Sequence, residues 1–239
     1  MSGVRALLIH HDHATLPGAV GERLAERGYD PVVHLVVEAS RYHSPGVTTD
    51  FPDPADFDVI VPMGAPWSTY DHATVGSWVL PELELLRRAH AESIPVLGIC
   101  FGGQLLATAH GGAVRKSPAP EVGWTEVSSD DDSLVPSGPW FQWHSDRWEM
   151  PPGAVEVARN ASASQAFVLG RNLAVQFHPE ITPEILDLWL VNGGDQEAES
   201  FGLDGADLLR QTHDSDDSNR ERAHRLVDAF LDRVAAGPA

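Results

Sequence analysis

Apolar residues gather in short runs separated by roughly the length of a helix. Residues 6–10, 31–37, 58–63 and 94–99 each read as a short buried strand, the second of them rich in valine. Between these runs, residues 18–28 set Val20, Leu24 and Ala25 at helical spacing and stop at Gly28. Residues 80–91 set Leu83, Leu85 and Leu86 in the same way, and residues 104–110 follow the fourth run as a further helix. Residues 41–57, with their Pro, Gly, Asp and Ser, read as a loop. Strands alternating with helices predict a mostly parallel sheet covered on both faces.

The pattern changes over residues 113–175. Short β-like pieces occupy 123–127, 140–143, 155–158 and 166–169, and residues 173–177 return to the core as another strand. From Pro183 onward the spacing is helical, including residues 219–235, with Asp214 to Asp217 expected as an acidic, solvated turn between two helices. No repeat or linker divides the chain. The expectation is one domain over residues 1–239 with a helical C-terminal extension from about 195 to 239.

Composition narrows the function. Of 239 residues, 42% are hydrophobic and 21% charged, so a substantial core needs no crosslinks. Seven Trp and eight Phe strengthen that expectation. A formal net charge of -19 leaves no basic stripe for a phosphate backbone or an anionic membrane surface. The single cysteine excludes an intrachain disulfide and a Cys-rich zinc site. Met1-Ser2-Gly3-Val4-Arg5 runs into the first strand without the features of a secretory leader, and no apolar run reaches the length of a membrane span. A cytoplasmic protein that binds neither nucleic acid nor membrane is expected.

That one cysteine is well placed for chemistry. Cys100 lies between a strand and a helix, with Gly98 two residues before it and Gly102 two after. Such a turn is tight enough to need small neighbours, and it projects the central side chain from the end of the strand. The helix N-terminus contributes positive potential and free N–H groups, which favour a thiolate. A lone cysteine is otherwise most often an inert core residue.

A thiolate nucleophile works best with a histidine and a third group that orients the ring. There are twelve histidines. His178 stands out because it follows the strand-like run Leu173-Ala174-Val175-Gln176-Phe177 and precedes Pro179-Glu180, so Glu180 can turn back to the imidazole. His10, His11, Asp12 and His13 cluster after the first strand, but nothing elsewhere completes a shell, and no metal or cofactor is expected.

Gly98-Ile99-Cys100-Phe101-Gly102-Gly103-Gln104 together with Gln176-Phe177-His178-Pro179-Glu180 resembles the paired motifs of the class I glutamine amidotransferases. The resemblance runs from the first strand to about Leu190. It implies a flavodoxin-like, three-layer α/β/α fold with a small additional β region. It implies a Cys100–His178–Glu180 triad that attacks the side-chain amide of L-glutamine through a γ-glutamyl thioester. Phe101 N–H and Ala65 N–H would form the oxyanion hole, with Gly64 permitting the turn in Met63-Gly64-Ala65-Pro66. Ala65 stands where the family has glycine, which raises the question of backbone conformation there.

The same resemblance implies that Gln104 contacts the substrate. It also implies that His144, Ser145 and Asp146 hold its amino and carboxylate ends, and that Glu121 borders the pocket. Gly103 replaces a larger residue and is expected to leave room near the mouth. The segment from Trp140 to Trp148 reads equally as a specificity wall or as core.

Three functions remain open. One is a glutaminase that docks on a separate synthetase and passes ammonia to it, since about sixty residues follow Glu180 and no phosphate-binding glycine motif is present. Another is a free-standing hydrolase of γ-glutamyl compounds. The third is a silent binding or regulatory protein on the same fold, which the intact Cys100, His178 and Glu180 argue against.

Overall fold

The computed structural model describes residues 3–237; Met1, Ser2, Pro238 and Ala239, with what was expected of the two termini, lie outside the described residues. Its strands are β1 (Arg5–His10), β2 (Asp30–Leu35), β3 (Val59–Pro62), β4 (Val96–Ile99), β5 (Ala113–Ser129), β6 (Gly138–Glu149), β7 (Val155–Arg159), β8 (Ser164–Leu169) and β9 (Asn172–Val175). They form one sheet in the order β2-β1-β3-β4-β9-β8-β7-β5-β6. Strands β2, β1, β3, β4 and β9 run parallel, and the pairings from β9 outward to β6 are antiparallel.

Helices α1 (Gly18–Glu26), α2 (His72–Ala91), α3 (Phe101–Ala109), α4 (Pro183–Trp189), α5 (Asp195–Ser200) and α6 (Gly205–Ala229) complete the fold. The class I glutamine amidotransferase-like α/β architecture expected from sequence is the one observed. The central strands are buried on both faces, and alternate residues feed separate cores. Leu8, Val61 and Leu97 face one core, while Leu7, Ile60 and Val96 face the other. β2 is the exposed edge, which is why its valine-rich run leaves Val33 and Leu35 partly in solvent.

Three elements differ from the sequence expectation. The second helix starts at His72 rather than near Leu80, because Pro81 sits inside it on the exposed face, where the backbone carbonyl it frees can be hydrated. The short β pieces after residue 113 merge into a long β5–β6 hairpin with one irregularity between Lys116 and Glu121. No turn interrupts Asp214 to Asp217, because they lie on the outer side of the continuous helix α6. Its buried stripe passes through Leu208, Thr212, Asn219 and Ala223. The two middle members are polar and seven positions apart, two helical turns, so the hydrophobic pattern is broken there.

The nucleophile turn is a packing constraint before it is a chemical one. Cys100 has φ 49° and ψ -105°, a region that a residue with a Cβ rarely adopts. A Cβ on Gly102 would lie 2.0 Å from the Pro62 carbonyl oxygen, and one on Gly98 would lie 2.7 Å from the Gly102 carbonyl oxygen. The close approach is held by Cys100 N–H donating to the Val175 carbonyl (2.8 Å) and Gly102 N–H donating to the Met63 carbonyl (3.0 Å). A methyl at residue 102 would therefore have to push β3 and α3 apart. Gly102→Ala is expected to lower the unfolding free energy by about 3 kcal/mol, read from urea denaturation. A loss under about 1 kcal/mol would contradict this packing.

Candidate active site

The C-terminal ends of β1, β3, β4 and β9 meet around one cleft of about 250 Å³, where ligands of open α/β sheets bind. Cys100, Phe101, Gly64, Ala65, Gln104, His144, Ser145, Asp146 and His178 all line it. The sequence-separated segments are thus brought to one place.

His178 follows β9, and its N–H is fixed by the Phe141 carbonyl at 2.8 Å. Its Nδ1 pairs with Glu180 Oε1 at 2.7 Å, and both side chains are buried. Burial alone would lower the basicity of His178, but the Glu180 carboxylate and the neighbouring Cys100 raise it to about 10. Nε2 has no regular hydrogen bond to any group among the described residues. It is the free position through which this ring can move a proton. Trp189 packs edge-on to the His178 ring at 4.9 Å, and Gln176 Nε2 approaches Cys100 Sγ at 3.6 Å.

Two backbone N–H groups belong to residues that line the cleft with Cys100. Phe101 N–H opens α3, and Ala65 N–H follows the Gly64 carbonyl; neither meets an acceptor among the described residues. Ala65 does not have positive φ, so alanine is compatible with the loop. Gly64 does not have positive φ either. The turn needs glycine there for space, since a Cβ on Gly64 would lie 3.0 Å from His178 Cε1.

Other expectations are corrected. Gly103 leaves no room at the mouth: a Cβ there would lie 3.0 Å from Trp148 Cζ3 and 3.0 Å from the Val175 carbonyl oxygen. The larger residue's volume is taken by Trp148. Glu121 does not line the cleft. It lies on β5, paired across the hairpin with His144, and accepts from Asn160 Nδ2 and from Gln165 Nε2 (3.2 Å). Its carboxylate is committed to Asn160 and Gln165 and stands 3.5 Å from His144, the residue beside it that does line the cleft.

Asp146 lines the cleft and accepts from the Tyr70 hydroxyl (2.9 Å) and from Ser68 Oγ. His144 also lines it, though both its ring nitrogens are engaged, with the Asp146 carbonyl at 2.9 Å and Gln142 Oε1 at 3.1 Å. Burial lowers its pKa to about 4. Gln104 spans to Gln176 Oε1 (3.3 Å) and the Asp146 carbonyl (3.4 Å). The tryptophan segment divides: Trp140 is core, stacked on Phe177, and Trp148 is buried against Phe167, while Trp143 faces the cleft.

Several contributors carry no motif. Ser68 and Tyr70 hold Asp146, and Tyr42, Trp67, Trp189 and Glu197 extend the wall. Asn219, buried on α6, donates from Nδ2 to the carbonyls of Pro179 (3.3 Å) and Ile181 (3.1 Å), and so clamps the loop carrying Glu180. A buried polar residue on the apolar stripe of a helix was the only available signal for it. The histidine cluster after β1 diverges. His13 reaches Asn192, and Asp12 caps Ala14 and Thr15. Among the described residues no group of three or more His, Cys, Asp or Glu could hold a metal ion, and no helix is long and apolar enough to cross a membrane.

Residues 23–192 match the family model described as glutamine amidotransferase class-I. The chain is 40% identical over 110 residues to the glutamine-hydrolyzing GMP synthase of Aeropyrum pernix, covering 40% of this chain but only 21% of that protein's length. It is 31% identical over 162 residues to one of the subunits of the glutamine-hydrolyzing GMP synthase of Sulfolobus acidocaldarius, covering 62% of this chain and 83% of that one. The crystal structure of a glutamine amido transferase from Methylobacillus flagellatus superposes with a TM-score of 0.81 at 25% identity, over 96% of this chain and 95% of the other.

Two tests follow from the geometry. Asn219→Ala leaves two buried carbonyls without their donor and should cost about 1–3 kcal/mol in urea denaturation; a change below about 0.5 kcal/mol would contradict the clamp. The second concerns pH. The folded state holds the His178 proton more tightly than the unfolded chain does. The resulting stability is fully present below pH about 6.5 and is lost as pH rises toward about 10. Thermal melts should show this decline, and it should shrink in Glu180→Gln. An equal decline in that variant would contradict the assignment.

Proposed function

The chain belongs to the class I glutamine amidotransferases, and from that premise we propose that it hydrolyses the side-chain amide of L-glutamine and passes the ammonia to a separate protein partner. One observation carries the reading: Cys100, on its strained turn, lines one cleft together with Ala65, Phe101 and His178, and His178 is paired with the buried Glu180. Each reacting group has a counterpart within one cleft.

The Cys100 thiolate adds to the amide carbonyl carbon. Charge moves to the amide oxygen, where Ala65 N–H and Phe101 N–H receive it without reorganising. Protonated His178 gives its Nε2 proton to the departing nitrogen, and the C–N bond breaks to leave ammonia and a γ-glutamyl thioester. Neutral His178 then takes a proton from water as its oxygen attacks the thioester. Glutamate leaves, and Cys100 is regenerated as the thiolate beside charged His178. Glu180 keeps the ring oriented and favours its charged form.

The cleft is lined by the carboxylates of Asp12, Asp146 and Glu197 and by no Lys or Arg. That composition suits the substrate's α-ammonium, and Asp146, held by Ser68 and Tyr70, is the carboxylate we assign to it. The α-carboxylate must then rely on N–H and hydroxyl donors such as those around Ser145. Gln104, tied to Gln176 and to the Asp146 carbonyl, fixes the floor between the substrate's two ends. The Sulfolobus relative is by its name one component of a multi-chain GMP synthase, which supports a separate synthetase as the ammonia acceptor.

A second reading keeps the same chemistry with a larger leaving group. The wall of Tyr42, Trp67, Trp143 and Trp189 extends beyond Cys100 and supports a free-standing γ-glutamyl hydrolase. Purified protein assayed for ammonia release from glutamine, beside amine release from γ-glutamyl dipeptides, separates the two. Preference for glutamine, with stimulation by a synthetase partner, is expected. Efficient dipeptide cleavage without a partner would overturn the ammonia-transfer reading. Cys100→Ser should lose at least about 10³-fold in kcat while melting at the wild-type temperature; retained turnover would remove Cys100 as nucleophile.

A further inference from the structure

Behind the cleft lies a buried ionic pair that the mechanism above does not use. His11, just past β1, and Glu82, in the middle of α2, are both fully buried. His11 Nε2 lies 3.0 Å and 3.1 Å from the two Glu82 carboxylate oxygens, and His11 Nδ1 lies 3.0 Å from the Gly64 carbonyl oxygen. Each ring nitrogen faces only acceptors, so satisfying both requires a proton on each. Burial opposes that charge, but Glu82 and the Gly64 carbonyl more than offset it, and the pKa of His11 is raised. The ring is stacked at 5.6 Å on Trp78 and meets Phe101 edge-on at 4.8 Å.

A buried pair of this kind contributes little net stability, so its presence calls for a reason of another sort. Its hydrogen-bonded tie to the site is the Gly64 carbonyl. The chain has no cis peptide bonds among the described residues, so the Gly64 carbonyl and the Ala65 N–H point to opposite sides of their shared peptide plane. Drawing the carbonyl back onto His11 turns the N–H forward, into the cleft that Gly64 and Ala65 line. Gly64 lacks a side chain that could restrict the alternative orientation, and a flipped peptide would present a carbonyl dipole to the developing oxyanion. The same ring also touches Phe101, whose N–H is the other donor.

We propose that His11, anchored by Glu82, is a positioning residue that locks the Gly64–Ala65 peptide with its N–H facing the reacting centre. The inference rests on the oxyanion role given above to Ala65. The lock acts on the transition state: it leaves the thiolate and ground-state binding of the substrate in place and sets the strength of one oxyanion donor.

The test compares wild type, His11→Phe and His11→Asn in the full-length protein. Phenylalanine keeps the packing against Trp78 and Phe101 but has no donor. Asparagine can set its amide nitrogen near the position of Nδ1. Because His11→Phe strands a buried carboxylate, the double variant His11→Phe/Glu82→Leu is measured as well. The expected result is a loss of about 10²-fold in kcat for glutamine with KM within about threefold, as for removal of one oxyanion donor. The rate of Cys100 alkylation by iodoacetamide, which needs the thiolate but no oxyanion hole, should stay within about twofold in every variant, and asparagine should restore most of kcat. Equal kcat in wild type and in the folded phenylalanine variants would overturn the proposal. So would a parallel loss of kcat and alkylation rate, or asparagine behaving no better than phenylalanine.

An arm independent of turnover separates this from the functional reading. Nitrogen-15 NMR should find protons on both ring nitrogens of His11 at neutral pH, and the Ala65 amide should shift when His11 is replaced by phenylalanine. A single ring proton, or an unmoved Ala65 amide, overturns the lock even in an active enzyme. Protein inactive on glutamine and γ-glutamyl compounds that shows both signals would instead contradict the activity and leave the lock supported.

Discussion

Gly102 presses its backbone against Pro62 so closely that no side chain fits between them. This contact seats the first turn of α3 on the end of β3 and forces Cys100 into a left-handed conformation at the end of β4. The strain has structural consequences that reach across the site. It joins the start of α3 to the end of β3 through the Gly102-to-Met63 hydrogen bond, and Cys100, Phe101, Gly64 and Ala65 then line one cleft. A relaxed turn at residue 100 would separate the proposed nucleophile from the proposed oxyanion donors. The cost of such strain is of the order of 1–3 kcal/mol, a size that only a thoroughly packed surrounding can hold in place.

Electrostatics complete what packing begins. The chain is strongly acidic as a whole, with a formal net charge of -19, and the cleft follows suit in having carboxylates and no Lys or Arg on its wall. Two histidines are nonetheless held toward the charged form by buried glutamates: His178 by Glu180 within the site, His11 by Glu82 behind it. His10 and His144 are driven the other way by burial, each to about 4. Glu121 does come within 3.5 Å of His144, but its oxygens already accept from Asn160 and Gln165. Identical side chains in one protein therefore take opposite protonation behaviour, set by how closely a carboxylate is committed to each ring. In the proposed chemistry this leaves one proton reservoir at the reacting centre, at His178.

The parts of the site legible in the sequence were those whose chemistry depends on local spacing. A glycine on each side of Cys100 and a glutamate two residues after His178 are short-range patterns, and the structure places Cys100 and His178 in one cleft with Glu180 buried against the His178 ring. Alternating apolar runs likewise foretold the parallel centre of the sheet. Residues acting across long sequence distances were not legible. Asn219 supports the Glu180 loop from 39 positions away, on a helix whose buried stripe is polar at the decisive turn. Ser68 and Tyr70 reach Asp146 only because the turn before α2 and the strand β6 converge on the same mouth. Glu121 was misplaced for a related reason: its partners Asn160 and Gln165 lie about forty positions away, and nothing in the local spacing announced them. Gly103 misled because a vacancy in sequence was filled in space by Trp148.

The central claim is that Cys100 becomes acylated by a γ-glutamyl group. Intact-protein and peptide mass spectrometry of samples quenched in acid during turnover of glutamine tests it most directly. The account predicts a fraction of protein heavier by one glutamyl group, with the added mass on the peptide carrying Cys100 and released by mild base or hydroxylamine as a thioester would be. Turnover proceeding with Cys100 unmodified, and persisting in Cys100→Ser, would contradict it.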